Sequence, residues 1–364
     1  MPQLILASLI LPFLLSVGLC AAIRRVALRR GFVDRPGGHK GHDAPVALGG
    51  GIAICLSVVM PMLTGVAFAV FVRWQGYPGW VPNELLGHVD GVVDQAPTAG
   101  LLVAGALGLM FVGLRDDVRP LGPGFKFAVQ IAVAGVLTIV CGIRAMELWG
   151  TPAAVGLTMI WMITIINAFN FLDNMDGLAA GVAAIVAALL AVAAIWSGQF
   201  FVPVLCLTVV GAACGFLIFN FPPATLFMGD AGSLVLGYFL AVLTVMTTYV
   251  EPDQEATRIA TLVPVVVLAV PLYDVVSVVL LRLRAGDSPF RGDRRHFSHR
   301  LVTLGMRPRS AVLTIYLATL ATGLSATLLP RADLTTACLI VAQCLCIVMI
   351  IAVLEHKRAH GNAS

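Results

Sequence analysis

The stretch Asn167-Ala168-Phe169-Asn170-Phe171-Leu172-Asp173-Asn174-Met175-Asp176-Gly177 lies between two apolar runs, 153–166 and 178–196. Apolar runs of roughly 20 residues are long enough to cross a hydrocarbon core as helices. The stretch therefore reads as a polar turn between two membrane helices. Asn167, Asn170, Asp173 and Asp176 recur in it every three residues. On a helical end or a tight turn that spacing gathers them on roughly one side. Three other polar clusters also sit at the edges of apolar runs. They are Asp116-Asp117, Gly229-Asp230-Ala231-Gly232-Ser233, and the segment from Asp293 to Arg300. We read the four as one site at one face of a membrane.

Composition supports that setting. The 364 residues are 59% hydrophobic and 12% charged, with a mean hydropathy of +0.96. Soluble domains carry about 25% charged residues. A water-soluble globule of this size cannot hide so much apolar surface, so lipid is the solvent. The expected fold is an all-α, polytopic bundle forming one domain over 1–364. Eleven spans are expected: 4–23, 50–72, 98–114, 126–143, 152–169, 178–196, 201–219, 232–250, 259–281, 310–329 and 334–354. Pro264 and Pro271 predict a kinked or broken ninth span. The outer loop 73–97, with Glu84, Asp90 and Asp94, reads as an exposed connector.

Charge sets the expected orientation. The formal net charge of +4 gives no reason to expect a nucleic-acid partner. Its distribution is informative. With the N-terminus outside, the segments 24–49, 115–125, 170–177, 220–231, 282–309 and the tail from 355 face the cytoplasm. Those segments, with Lys126 at a boundary, hold nineteen of the 23 Lys and Arg residues; only Arg73, Arg144, Arg258 and Arg331 fall outside. The positive-inside rule favours this arrangement, with the C-terminus inside. No positive residue precedes the run 4–23 and four arginines follow it, which fits a retained first helix better than a cleaved signal. All eight cysteines lie in apolar runs and none forms a CxxC pair, so a zinc or redox site is not expected.

Acids near a bilayer are expensive, by about 2.5–3.5 kcal/mol at a helix centre on insertion scales. They are kept for pairing, for a wet cavity or for metal. Asp116, Asp117, Asp173, Asp176 and Asp230, with Asn170, make an oxygen-rich set suited to a hard cation such as Mg²⁺. The bland alternative is a set of loop ends that cap helices and touch water. Adjacent Asp116 and Asp117 cannot share a helix face, so one is a candidate general base and the other a structural or metal-side partner. Lys126 either holds a phosphate or snorkels to the interface. Asp230, opening a span, is either an N-cap or a metal ligand, and its glycines suit an anion at a helix N-terminus. Phe227 either stacks on a base or sits at the membrane interface. Residues 282–309 carry eight positive residues against Asp287 and Asp293. Positive-inside anchoring explains some arginines but not His296 and His299 among Arg294, Arg295 and Arg300. A phosphate-rich substrate would use these as donors. The first loop, Asp34 to Gly51 with His39, Lys40 and His42, reads as a substrate-facing loop or as a basic segment drawn to anionic lipid.

Taken in order, these motifs resemble the polyprenyl-phosphate N-acetylhexosamine-1-phosphate transferases, over about residues 31–309. The pieces are Asp34, His39-Lys40, His42, Pro45 and Gly50-Gly51; Asp116-Asp117, Lys126 and Gln130; Asn167 to Gly177; Phe227 to Ser233; and Asp293 to Arg300. The resemblance implies transfer of an N-acetylhexosamine 1-phosphate from a UDP-sugar to a polyprenyl phosphate, in a bacterial inner membrane, with a cytoplasmic site and Mg²⁺, or Mn²⁺ in its place. By motif position, Asp230 would be the main metal ligand, with Asn170 nearby. Asp116 and Asp117 would face the lipid phosphate and Lys126 would bind phosphate. Lys40, Asp173, Asp176 and Phe227 would surround the nucleotide. His296, His299 and the neighbouring arginines would meet the diphosphate and sugar. A homodimer is compatible with this reading. Phe297-Ser298 interrupt the histidine run usual in the branch using UDP-MurNAc-pentapeptide, which points to a simple sugar such as GlcNAc; Asn174 and Ser298 depart from the family's frequent Gly and His. The rival class is a transporter, which would favour paired repeats and acids at mid-membrane. Here no repeat is visible and the acids lie near one face.

Overall fold

A computed structural model describes residues 2–35, 45–145, 147–247, 249, 261–288 and 296–356. Nine helices among them are long and apolar enough to cross a membrane, and Asp230–Met246 is a shorter apolar one. In chain order the first helices are α1 (Pro2–Arg30), α2 (Gly50–Trp74), α3 (Asn83–Asp94), α4 (Ala96–Val118) and α5 (Pro123–Gly135), the last continued by a π-helical turn, Val136–Val140. Then come α6 (Thr151–Leu172), α7 (Leu178–Trp196), α8 (Phe201–Asn220) and α9 (Asp230–Met246). The series ends with α10 (Val263–Val267), α11 (Ala269–Arg284), α12 (Phe297–Thr303), α13 (Pro308–Leu328) and α14 (Leu334–His356). The chain is a polytopic helical membrane protein, as its hydropathy predicts.

The ninth span is broken, and the break falls at Leu268, between α10 and α11. Pro271 has no N–H to offer the Val267 carbonyl, and its ring crowds that group. The segment 73–97 differs from expectation. Residues 83–94 form α3, because Leu85, Leu86, Val89, Val92 and Val93 make an apolar stripe that packs on Ala69 and Val72 of α2. The charges of Glu84, Asp90 and Asp94 mask that stripe in the sequence, and Arg73 pairs with Asp94 at 3.2 Å.

At the centre stands α9. Every residue from Ala231 to Thr244 is buried, which suits a helix apolar on all sides. It packs against α2, α4, α6, α7 and α8. Shielded from lipid, it need not match the bilayer thickness, and its 17 residues suffice. Its N-terminal turn is gripped backbone to backbone. A Cβ on Gly51 of α2 would land on the Gly232 backbone, and one on Gly113 of α4 would land on Asp230 and Ala231. Small residues permit such close approach between membrane helices.

A short two-stranded ribbon, Val33–Asp34 against Val46–Ala47, ties the first loop to this end of the bundle. Phe227 N–H donates to the Ala47 carbonyl at 2.8 Å, and Gly50 N–H to the Phe227 carbonyl at 2.9 Å. At the opposite ends of the helices, Trp74, Trp80, Trp149 and Trp196 are exposed, as in an aromatic belt at a membrane–water interface. The acidic motifs and the belt therefore mark the two faces.

Candidate active site

The site is made of helix ends, where backbone amides and carbonyls lack helical partners. α4 runs four residues beyond its expected end, which places Asp116 and Asp117 on its last turn. Asp117 reaches the start of α9. Its Oδ1 accepts the Asp230 N–H at 2.8 Å and its Oδ2 the Ala231 N–H at 3.4 Å. A carboxylate there is doubly favoured, by two amides left free by the helix and by the positive end of its dipole. Gly229 has a φ of 69°, and a Cβ there would also overlap the Asp117 carboxylate. Only glycine fits that corner on both counts.

Asp116 turns the other way. Its Oδ1 accepts the Leu121 N–H at 2.6 Å, closing the turn between α4 and α5, and its Oδ2 meets Lys126 at 3.1 Å. Lys126, on the first turns of α5, also reaches Asp230 Oδ2 at 3.0 Å. The ammonium thus bridges the two acids. Asn170, on the last turn of α6, donates from Nδ2 to Asp230 Oδ1 and to Ser233 Oγ, both at 3.0 Å. With both amide hydrogens engaged, its Oδ1 is the atom left to accept or ligate. Asn167 has a supporting place one turn back, donating to Gln130 Oε1 at 2.6 Å and tying α6 to α5.

The turn after α6 carries Asp173 and Asp176. Asp176 Oδ2 accepts the Ala224 N–H at 2.9 Å. Asn220 takes the Gly177 N–H at 2.9 Å and gives to the Leu226 carbonyl at 3.0 Å. These bonds knit the turn to the loop that bears Phe227, which is half-buried. Asp173 keeps some solvent contact, yet protein crowds its carboxyl. Burial, then the negative charges of Asp230, Asp117 and Asp176, pushes it well above the usual carboxylate range. Among the described residues five acids, Asp116, Asp117, Asp173, Asp176 and Asp230, gather here around the single ammonium of Lys126.

On the basic side, His296 immediately precedes α12 and is buried. Its Nδ1 lies 2.9 Å from Asp274 Oδ2. His299 and Arg300 are half-buried, and Arg300 Nη2 donates to Ser277 Oγ at 2.7 Å. Ser298 Oγ donates to Asn174 Oδ1, so α12 is pinned to the acidic turn. Lys40, Arg294 and Arg295 lie outside the described residues.

Three partners escaped the sequence reading. Asp274 sits within a run counted as apolar, and an ionisable residue inside a span is a signal in itself. Arg282, counted with the basic loop, is buried on the last turn of α11, its guanidinium 5.2 Å from the Phe171 ring centre. The Asn174–Ser298 bond joins the two positions that depart from the resembled pattern. No single-residue signal could have paired them.

Among the described residues, no three His, Cys, Asp or Glu side chains form a ready-made metal cage. The oxygens of Asp230 and Asn170, crowded by further acids, fit instead a hard cation that keeps waters and takes phosphate oxygens.

Residues 99–248 match the model of glycosyl transferase family 4. The chain is 33% identical, over 336 residues, to a decaprenyl-phosphate N-acetylglucosaminephosphotransferase of Mycolicibacterium smegmatis, covering 83% of this chain and 78% of that protein. The chain belongs to glycosyl transferase family 4. It is 29% identical to a probable undecaprenyl-phosphate N-acetylglucosaminyl 1-phosphate transferase of Bacillus subtilis over 91% of this chain and 86% of the relative. It is also 29% identical to an undecaprenyl-phosphate alpha-N-acetylglucosaminyl 1-phosphate transferase of Escherichia coli K12, over 81% and 76% of the two chains. The part matched to family 4 spans α4 to α9 and so carries Asp116, Asp117, Lys126, Asn170, Asp173, Asp176 and Asp230. It stops short of α11 and α12. The chain is a multi-pass membrane glycosyl transferase.

Proposed function

We propose that this chain transfers GlcNAc 1-phosphate from UDP-GlcNAc to undecaprenyl phosphate or a related polyprenyl phosphate, at the cytoplasmic face of a bacterial inner membrane. The product is a lipid diphosphate sugar that starts cell-envelope glycan synthesis. The observation that carries this reading is the Asp230 carboxylate, held between Lys126 and Asn170 at the start of a buried helix, in a chain whose full-length relatives carry those names.

In the reaction a phosphate oxygen of the lipid attacks the β-phosphorus of the UDP-sugar. The bond from that phosphorus to the bridging oxygen breaks, and the oxygen leaves with UMP. Two anions must meet, so cationic screening and alignment come before proton transfer. Lys126 is placed to receive a phosphate, releasing the acids it bridges. Asp230 and Asn170 would hold Mg²⁺, or Mn²⁺, which when bound neutralises charge on the diphosphate oxygens. The lipid phosphate is largely ionised near neutral pH, its second pKa being about 6, so a strong base is not required. That suits Asp117, whose oxygens already face the α9 amides. Its role in this reading is to fix the N-terminus of α9 and with it Asp230. Asp116 positions Lys126, and Asp173 and Asp176 border the nucleotide with Phe227. Lys40 joins the residues around the nucleotide, and His296, His299 and the arginines 294, 295 and 300 meet the diphosphate and sugar.

The test is UMP release by purified protein given UDP-GlcNAc and undecaprenyl phosphate in detergent. Release is expected only with both substrates and a divalent cation. Undiminished turnover in excess chelator removes the cation from this reading, and no release with any UDP-N-acetylhexosamine removes the reading itself.

A further inference from the structure

Asp274 lies in the second turn of α11, six residues past the break at Leu268, and is 1% exposed. A lone carboxylate in such a place is costly, so its partners explain its presence. Oδ1 accepts the Phe297 N–H at 2.7 Å, which caps α12. One neutral acceptor would be enough for that cap. The second oxygen makes a different contact, 2.9 Å to His296 Nδ1. An ionised carboxylate can only accept, so this bond places a proton on Nδ1 and leaves Nε2 as the ring nitrogen for another partner.

The ring's surroundings connect it to the acidic turn. The edge-on neighbour of His296 is Phe171, with ring centres 5.8 Å apart. Phe171 follows Asn170 directly. Two residues past His296, Ser298 bonds to Asn174. The imidazole is therefore clamped between α11 and the end of α6 that bears Asn170.

We propose that Asp274 is a positioning residue acting through His296: it holds the Nδ1 proton, fixes the ring plane, and presents the Nε2 lone pair to a hydroxyl or amide N–H of the nucleotide sugar. In that tautomer Nε2 accepts a hydrogen bond and cannot donate one. The identity of that substrate rests on the function proposed above; the state of the ring does not.

The experiment uses Asp274→Asn in the full-length protein. The amide oxygen can keep the Phe297 N–H, so α12 stays capped. The amide nitrogen donates to Nδ1, which forces the ring proton onto Nε2. In histidine-labelled ¹⁵N NMR at alkaline pH, with His296→Gln assigning the signal, His296 is expected to carry its proton on Nδ1 in the unmodified protein and on Nε2 in Asp274→Asn. A proton on Nε2 in the unmodified protein overturns the proposal, whether or not UMP is ever released. In the transfer assay, Asp274→Asn is expected to lose at least ~10-fold in kcat/KM for UDP-GlcNAc, as outer hydrogen-bond partners commonly do, with the KM for the lipid phosphate unchanged. In a His296→Ala background it should add no further loss. An equal loss with and without His296 makes Asp274 a cap of α12 only and overturns the proposal.

Discussion

Replacing Asp230 with Asn is the sharpest test of the site. The side chain keeps its shape, and the backbone N–H of residue 230 keeps its bond to Asp117. Asn can accept from one of Lys126 and Asn170, which now reach separate oxygens. The stability effect is small because two terms oppose. An ion pair with a partly exposed Lys126 is lost, worth about 1 kcal/mol or less in such settings. Repulsion from Asp116, Asp117 and Asp173 is relieved by a similar amount. The thermal midpoint in detergent is therefore expected to move little. Activity is another matter. The Asn side chain offers a neutral oxygen and lacks the negative charge that a carboxylate brings to a hard cation. A loss of at least ~100-fold in kcat is expected, equal to about 2.7 kcal/mol of transition-state stabilisation. The divalent-cation concentration for half-maximal rate should rise as well. The assay is UMP release across a Mg²⁺ titration, with melting followed on the same preparation. A folded Asp230→Asn protein with near-native kcat and an unchanged Mg²⁺ requirement would falsify the placement of the cation at Asp230.

Other consequences can be measured directly. Asp173 has a raised native pKa, so the folded state holds its proton more tightly than the unfolded chain does. Its stabilising contribution is full below the ordinary carboxylate range and is lost as pH rises through the raised value. Metal-free Asp173→Asn should therefore melt higher than the parent at alkaline pH, by roughly 2–4 °C for each ~1 kcal/mol relieved, with the gap closing on acidification; a pH-independent gap refutes the electrostatic cause. A single reactive cysteine at Ser288→Cys, with the exposed Cys338 and Cys346 replaced, should label with an impermeant reagent only in opened cells. Labelling in intact cells inverts the proposed orientation. UDP-GlcNAc should be used at least ~10-fold better than UDP-MurNAc-pentapeptide, a difference of about 1.4 kcal/mol. The reverse preference, measured side by side, removes the simple-sugar reading.

The helical spans were legible because lipid imposes one strong rule: apolar runs long enough to cross. Pro264 and Pro271 marked the broken span, and the missing N–H of Pro271 accounts for the site of the break. What composition hid was α3. Glu84, Asp90 and Asp94 make its segment look like a solvated loop, although its apolar residues recur at helical spacing. Motif order also gathered the acids correctly at one end of the bundle. Lys40, Arg294 and Arg295 fall outside the described residues.

Roles within the acidic set were not legible, and the reason is geometric. Sequence reports that a carboxylate is near a helix end but not whose amides it meets. Asp117 caps a helix that begins more than a hundred positions later, and Asp274 caps one that follows it across a loop. In the folded chain the acids divide by what their oxygens touch. Asp116, Asp117, Asp176 and Asp274 each accept at least one backbone N–H. Those bonds hold turns and helix starts in place and leave less capacity for a ligand. Among the described residues the carboxyl oxygens of Asp230 meet side chains, those of Lys126, Asn170 and Asp116, and side chains can swing aside when a cation or phosphate arrives. The Asp173 carboxyl has no hydrogen-bond partner among the described residues, and its raised pKa records its burial and the negative charges of Asp230, Asp117 and Asp176 around it. On the function proposed above, that division puts the reacting region between residues 173 and 230, and the acids anchored by backbone amides form the frame around it.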